Sequence, residues 1–487
     1  MKRPNILWLT TDQQRSDTIH ALGNADIDTP NLDRLCARGV AFTRNYCQNP
    51  ICTPSRSSFM TGRYPSAVNA NINGADNLPE HCTLISRRLA DAGYTCGLLG
   101  KLHITSAWEY EPRMDDGFTY FESMLGSGHY LRQEGNPYRK WLEDKGVDWR
   151  DLFTTDEKHD YHWYRPDAPA EYRQTAYLAE RAVQFMAKHK DDEAPWMLCV
   201  NCYDPHPPYD GPQALTDKYM ARNLADPIYS EKDITLDKKL GNFFFQSSAT
   251  PMDDRLRRNK ANYYGMVETI DAHYGKILDA LDELGLTENT LVIYNSDHGE
   301  MLGDHGLTHK GCRFYEGLVH VPLIMSLPGR LARGARYDGM TELTDIVPTI
   351  ADLCGLTIPE DELAGHSLLP VLEGKEYTPR KFVRTEYYDT LEEDPTYDGL
   401  RAEGQTEYTD EKGKGSYAEM YLDGRYKLCV YHGQDFGELY DLESDPREEH
   451  NLWEEKDYQQ IKTGLLLQAF NASVRFSRPG QHRRGRY

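Results

Sequence analysis

Cys52-Thr53-Pro54-Ser55-Arg56-Ser57-Ser58-Phe59-Met60-Thr61-Gly62-Arg63 is the stretch on which the reading of this chain turns. Thr53 suits a helix N-cap, and Pro54 suits the first helical position, where a missing N–H costs nothing. Gly62 is placed to end the helix. Residue 52 then sits at a helix N-terminus. Unpaired backbone N–H groups and the positive end of the dipole favour an anion such as sulfate there. A buried cysteine beside an ordinary capped helix satisfies the same pattern. A cysteine phosphatase loop does not, because it needs an arginine at position 58, which is Ser58.

Outward from this helix, short apolar runs at Asn5–Thr11, Thr95–Leu99, Trp196–Cys202, Thr290–Ser296 and Val321–Leu327 read as buried parallel strands. Helical patterns at Asn31–Arg38, Leu84–Ala92, Thr175–His189 and Tyr263–Leu284 separate several of them. The alternation predicts an α/β fold, a large and mostly parallel central sheet sandwiched by helices. From about Arg380 the texture changes. Tyr417–Leu422 and Tyr426–Tyr431 flank a turn at Asp423-Gly424-Arg425, and Phe436–Leu442 follows. A smaller C-terminal antiparallel sheet carrying a helix is expected. The expected division is a catalytic domain over residues 1–375 and an α+β subdomain over 376–487. Gly126–Asp167 and Asp210–Asp254 read as long loops, either functional lids or disordered segments.

Polar clusters follow the first four strands. They are Asp12-Gln13-Gln14-Arg15, Gly100-Lys101-Leu102-His103, Tyr203-Asp204-Pro205-His206-Pro207-Pro208-Tyr209 and Asp297-His298-Gly299-Glu300. Ligands in open α/β sheets bind beyond the carboxyl ends of the strands, so these clusters can share one site.

The net charge of −22 argues against nucleic acid and anionic membrane surfaces as partners. An anionic substrate would need a local island of positive charge. The basic tail Gln481-His482-Arg483-Arg484-Gly485-Arg486 reads as a frayed terminus. Lys2-Arg3 precedes an apolar run too short for a signal peptide, and no segment is long enough to span a membrane. The ten cysteines lack a small-framework spacing and read as reduced thiols, which suggests a cytoplasmic protein. Cys199 and Cys202 form a C-x-x-C in a strand-like run, where such residues face opposite sides.

Taken together, Asp12, Cys52-x-Pro54-Ser55-Arg56, Lys101-x-His103, Pro205-His206-Pro207-Pro208, Asp297-His298-Gly299-Glu300, Lys310 and the ending Glu438-Leu439-Tyr440-Asp441-Leu442…Asp445-Pro446…Asn451-Leu452 resemble a formylglycine-dependent sulfatase of the alkaline phosphatase superfamily. The resemblance covers most of the chain. It implies a sulfuric ester hydrolase in which Cys52 is oxidised to formylglycine by a generating enzyme or maturase. The hydrated aldehyde would attack sulfur through one hydroxyl and release sulfate by losing the proton of the other. The resemblance also implies one divalent metal held by Asp12, Asp297, His298 and the side chain at position 52, with Gln13 supplying either an amide oxygen or only a hydrogen bond behind the ligands. Arg56 and Lys101 would hold the geminal oxygens, His103 would take the proton that drives elimination, and His206 would be the general acid. Lys310 would contact the sulfate, with His309 as a further substrate contact.

Family members often carry Asp-Asp where this chain has Asp12-Gln13, and many have Asn where it has His298. Calcium, the usual metal of the family, is expected first, with manganese or magnesium as alternatives; His298 raises the case for manganese. The expected substrate is a sulfated small sugar or other small organic alcohol. Self-association is left open. A phosphonate monoester or phosphodiester hydrolase on the same scaffold is the alternative, and Lys101-x-His103 speaks against it. A non-catalytic anion-binding protein with an unmodified Cys52 is the rival of a different class.

Overall fold

The computed structural model describes residues 3–73, 78, 82–105, 113–124, 126, 131, 135–156, 161–230, 252–389 and 416–476. The basic tail at 481–486 and parts of both long-loop stretches lie outside them.

The strands are β1 (Asn5–Thr11), β2 (Val40–Tyr46), β3 (Thr95–Gly100), β4 (Tyr120–Ser123), β5 (Phe153–Asp156), β6 (Tyr161–Tyr164), β7 (Trp196–Asn201), β8 (Thr290–Ser296), β9 (Leu323–Ser326), β10 (Ala335–Glu342), β11 (Val383–Asp389), β12 (Ser416–Leu422), β13 (Tyr426–Tyr431) and β14 (Gly437–Asp441). Eight form one sheet in the order β10-β2-β9-β8-β1-β7-β3-β4. All its pairings are parallel except those of β9, which runs antiparallel to β8 and β2. The parallel strand expected at Val321–Leu327 is therefore a strand in the opposite sense. A run buried on both faces carries no mark of direction.

Alternation along the central strands builds two cores. Ile6, Trp8, Leu98, Met197, Cys199, Leu291 and Ile293 face one side, where they meet Phe59 and Met60 of the helix Cys52–Thr61 and Ile346 and Ile350 of the helix Ile346–Cys354. Leu7, Leu9, Leu99, Leu198, Val200, Val292 and Tyr294 face the other, against the helices Pro30–Arg38, Gln174–His189 and Asp254–Glu283. Helices thus cover both faces, as expected. Truncating one of these fully buried leucines to alanine costs about 2–5 kcal/mol. Cys199 and Cys202 fall in opposite cores, so they form no metal or redox pair.

The smaller sheet is antiparallel in the order β11-β12-β13-β14. The helix Gln459–Phe476 lies on one of its faces, and Val383, Tyr387, Ala418, Met420 and Tyr431 on the other share a core with the large sheet. Glu386 N–H donates to Gln48 O (2.9 Å) and Thr385 Oγ1 to Cys47 O (2.6 Å), which ties this sheet to the loop just before Cys52.

The stretches read as long loops contain structure. The helix Pro137–Asp144 and the β5–β6 hairpin lie in the first, and the helix Gln213–Met220 lies in the second. No helix among the described residues is long and apolar enough to cross a membrane.

Candidate active site

The four strands that carry the polar clusters, β8, β1, β7 and β3, are consecutive in the sheet and end almost level. Thr11 pairs with Ser296, Thr10 with Asn201, and Gly100 with Asn201. The ladder runs one step further: Asp297 N–H donates to Thr11 O (3.4 Å), Asp12 N–H to Asp204 O (3.3 Å) and Lys101 N–H to Asn201 O (2.9 Å). Gly100, at φ 90°, brings its backbone so close to β7 that a Cβ would lie 2.0 Å from Asn201 O. The register places Asp297, Asp12 and Lys101 along one edge.

The helix Cys52–Thr61 delivers the remaining groups. Its N-cap is Ile51, not Thr53 as expected, because Cys52 already has helical geometry and is the first helical residue. Thr53 N–H is taken instead by Asn73 Oδ1 (3.0 Å). Pro54, two positions later than expected, still falls in the first turn, where its missing N–H is harmless. Gly62 ends the helix in the left-handed region at φ 72°, its N–H donating to Ser58 O (2.8 Å).

One turn on from Cys52, Arg56 lies on the same face of the helix. Its Nε donates to Asp297 Oδ2 (2.7 Å), its Nη2 to Asp12 Oδ2 (3.1 Å) and its Nη1 to Lys101 O (2.7 Å). One guanidinium therefore bridges three strands beneath Cys52. Ser55 Oγ donates to Asp297 O (2.6 Å). Sequence reading gave Ser55 no role beyond the motif; its hydroxyl holds the backbone of a candidate metal ligand.

Around the Cys52 sulfur lie Lys310 Nζ (2.9 Å), His298 Nε2 (3.2 Å), Lys101 Nζ (3.5 Å) and Asp12 Oδ1 (3.7 Å). The imidazoles of His103 and His206 also interact with this thiol. Burial alone would raise the Cys52 thiol, but Lys101, Lys310 and His298 outweigh it and bring it well below its usual value. Burial also opposes ionisation of Asp12, yet Lys101, His206 and Arg56 keep its carboxyl below the ordinary range. Burial together with Lys101 pushes His103 down to about 4, and burial together with Lys310 lowers His206.

The turn carrying His206 is braced by Tyr203, whose hydroxyl donates to Pro207 O (2.8 Å) and whose ring lies 4.6 Å from the imidazole. His309 sits apart from the sulfur. Its ring stacks on Tyr209 at 5.7 Å and its Nδ1 lies 3.4 Å from the Tyr209 hydroxyl.

A divalent cation is implied, and the donors fit one. Ligand atoms of Asp12, Cys52, Asp297 and His298 all lie within 4.8 Å of one another, and all four residues are buried. Gln13 N–H donates to Asp297 Oδ1 (3.0 Å), while Gln13 Oε1 is buried with no hydrogen-bond partner. Carboxylates, an amide oxygen and an imidazole suit a divalent ion.

Residues 4–356 match the family described as Sulfatase. An arylsulfatase of Clostridium perfringens is 28% identical over 94% of this chain and 92% of its own length. A choline-sulfatase of Rhizobium meliloti is 29% identical over 93% of this chain and 83% of its own. Among solved structures, a phosphonate monoester hydrolase of Agrobacterium radiobacter superposes with a TM-score of 0.78 at 25% identity, covering 97% of this chain and 96% of that one. With an arginine-clamped aspartate pair under a cysteine at a helix start, and a family match across most of its length, this chain belongs to the sulfatase family.

Proposed function

We propose that this protein hydrolyses a sulfate monoester of a small sugar or another small organic alcohol, with formylglycine derived from Cys52 as the nucleophile. The observation that carries this reading is the convergence of Lys310 and Lys101 on the Cys52 sulfur above the Asp12–Arg56–Asp297 clamp. The sulfur marks where the nucleophilic oxygen would stand. Hydrated formylglycine supplies one hydroxyl to attack sulfur and a second whose deprotonation expels sulfate.

Asp12, Gln13, Asp297, His298 and the side chain at position 52 would hold one divalent cation, calcium first and manganese or magnesium as alternatives. Bound there, it supplies Lewis acidity to the nucleophile and the sulfate. Arg56 and Lys101 hold the geminal oxygens, and Lys310 binds the sulfate. His103, lowered to about 4, is neutral near pH 7 and beside the side chain at position 52, where it would take the second hydroxyl's proton. His206 protonates the leaving alcohol. Burial and the Lys310 charge lower His206, and an anionic sulfate bound against Lys310 would oppose that lowering. His309, half-buried against Tyr209, would be a further substrate contact.

Oxidation of Cys52 needs a generating enzyme or maturase. The folded chain leaves Cys52 only 1% exposed, so that partner meets it before folding is complete. All ten cysteines are free, which fits a reducing, cytoplasmic setting.

A second reading, phosphonate monoester or phosphodiester hydrolysis, is favoured by one observation. The phosphonate monoester hydrolase of Agrobacterium radiobacter superposes over 97% of this chain with a TM-score of 0.78, and Asp12-Gln13 and Asp297-His298 are compatible with that chemistry. Lys101 and His103 favour sulfate. The test is sulfate or phosphonate release from a panel of sulfated monosaccharides, unsaturated disaccharides, choline sulfate and phosphonate esters, with mass spectrometry of the Cys52 peptide. Sulfate ester turnover by protein carrying the aldehyde is expected. Dominant phosphonate turnover would establish the second reading, and an intact thiol in the native host would remove catalysis altogether.

A further inference from the structure

We propose that Glu300 is a positioning residue that turns the Gln13 amide so that Oε1 faces the cation, and that it fastens this ligand to the loop carrying Lys310. The proposal rests on the reading of Gln13 as a metal ligand.

Glu300 is fully buried. Its Oε2 accepts from Gln13 Nε2. Its Oε1 accepts the backbone N–H of Leu302 (3.0 Å) and that of His309, the residue before Lys310. The Tyr209 hydroxyl also bonds to this carboxylate. The backbone of Glu300 is fixed as well, with its N–H on Gly317 O (3.0 Å) and its carbonyl accepting Arg15 Nη1 (2.9 Å).

Both Glu300 oxygens act as acceptors, Oε2 from Gln13 Nε2 and Oε1 from two backbone N–H groups, so the NH2 end of the Gln13 amide is the one that faces Glu300. The rest of Gln13 has little freedom. Its N–H is on Asp297 Oδ1 (3.0 Å), its carbonyl accepts the Tyr263 hydroxyl (2.7 Å), and its φ is 69°, in the left-handed region. With the backbone clamped and the NH2 group committed, Oε1 is left as a buried acceptor with no partner among the described residues. An unsatisfied buried carbonyl oxygen is costly, and a cation satisfies it. Glu300 thus spends one oxygen on the ligand and the other on the segment leading to Lys310, so the metal and the sulfate-binding lysine share one support.

Glu300→Gln tests this without emptying the site. The new amide oxygen can still accept the Leu302 and His309 N–H groups. Its NH2 replaces Oε2, so Gln13 must present its own oxygen to residue 300 and its NH2 to the cation. Ca2+ and Mn2+ are each titrated calorimetrically into metal-free full-length protein. A 10–100-fold loss of affinity is expected, the usual range for changes to groups that orient metal ligands, with the melting temperature of the metal-free protein nearly unchanged. The double variant Gln13→Glu with Glu300→Gln exchanges donor and acceptor and should restore binding. Wild-type affinity in Glu300→Gln, with weakened binding in Gln13→Ala, would overturn the role of Glu300 and leave the metal reading standing. Unchanged binding in Gln13→Ala would overturn both. A loss in Glu300→Gln that the exchange does not restore would also overturn the orienting role.

Discussion

Lys310 Nζ lies 2.9 Å from the Cys52 sulfur, a contact between residues 258 positions apart in a chain of net charge −22. Lys101, from a different strand end, approaches the same atom at 3.5 Å. The island of positive charge demanded by an anionic substrate is built here from isolated cations gathered by the sheet, with no basic segment in the sequence to announce it.

Cys52→Ser keeps the size of the side chain but supplies a single hydroxyl, with no second one to expel sulfate. We expect multiple turnover to be lost while the unfolding midpoint stays near that of the parent protein. Sulfate release is followed over many enzyme equivalents, and steady release by the serine variant would contradict the formylglycine mechanism.

Arg56→Ala strips the cation from two fully buried carboxylates, Asp12 and Asp297. Breaking one side of a buried ion pair costs about 3–5 kcal/mol. Urea unfolding of the metal-free protein should show a loss of that size. A change below about 1 kcal/mol, the ordinary value for an exposed pair, would mean the clamp does not hold the site.

His206→Ala should slow alkyl sulfates by roughly 10²–10⁴-fold, the usual worth of a general acid. An ester with a strongly acidic phenol as leaving group needs little help from a proton and should lose far less. The two rates measured side by side decide the matter. Equal losses would assign His206 to binding.

Asp204 and Asp210 flank the His206 turn, and burial pushes their carboxyls up to about 6 and about 7, against the pull of Arg173. Because these carboxyls stand above their ordinary value of 3.8, the folded chain keeps protons that the unfolded chain releases. Their contribution to stability is therefore full below pH 3.8 and is lost as pH rises through about 6 for Asp204 and about 7 for Asp210, at about 1.4 kcal/mol per unit for each group within its window. Asp210→Asn, which can still accept the Tyr164 N–H, should flatten this part of the stability profile. Denaturant titrations at several pH values read the slope, and an unaltered slope would count against a protonated Asp210.

How much of this was legible beforehand followed from burial. β1 and β8 coincide with their apolar runs because both faces are covered, and nothing polar interrupts them. β2 and β10 went unread. Thr43 and Arg44 break the first, and the second alternates half-exposed and exposed residues at the sheet edge. The cluster at 12, 52, 101, 206 and 297 was legible because strand ends and a helix start are local features. Ser55 and Glu300 gained their roles only from long-range contacts, with Asp297 and Gln13, which spacing cannot reveal. Asn73, which accepts the Thr53 N–H in the first turn of the helix, is a third case of the same kind.

The central place of β1, between β7 and β8, has a temporal consequence. On the ribosome the first strand and Cys52 emerge early, but the neighbours that wall them in lie hundreds of residues downstream. At ~5–20 residues per second, the thiol stays open for on the order of ten seconds or more before β8 can be laid down. Strand order thus sets a clock, and any enzyme that oxidises Cys52 must work within it.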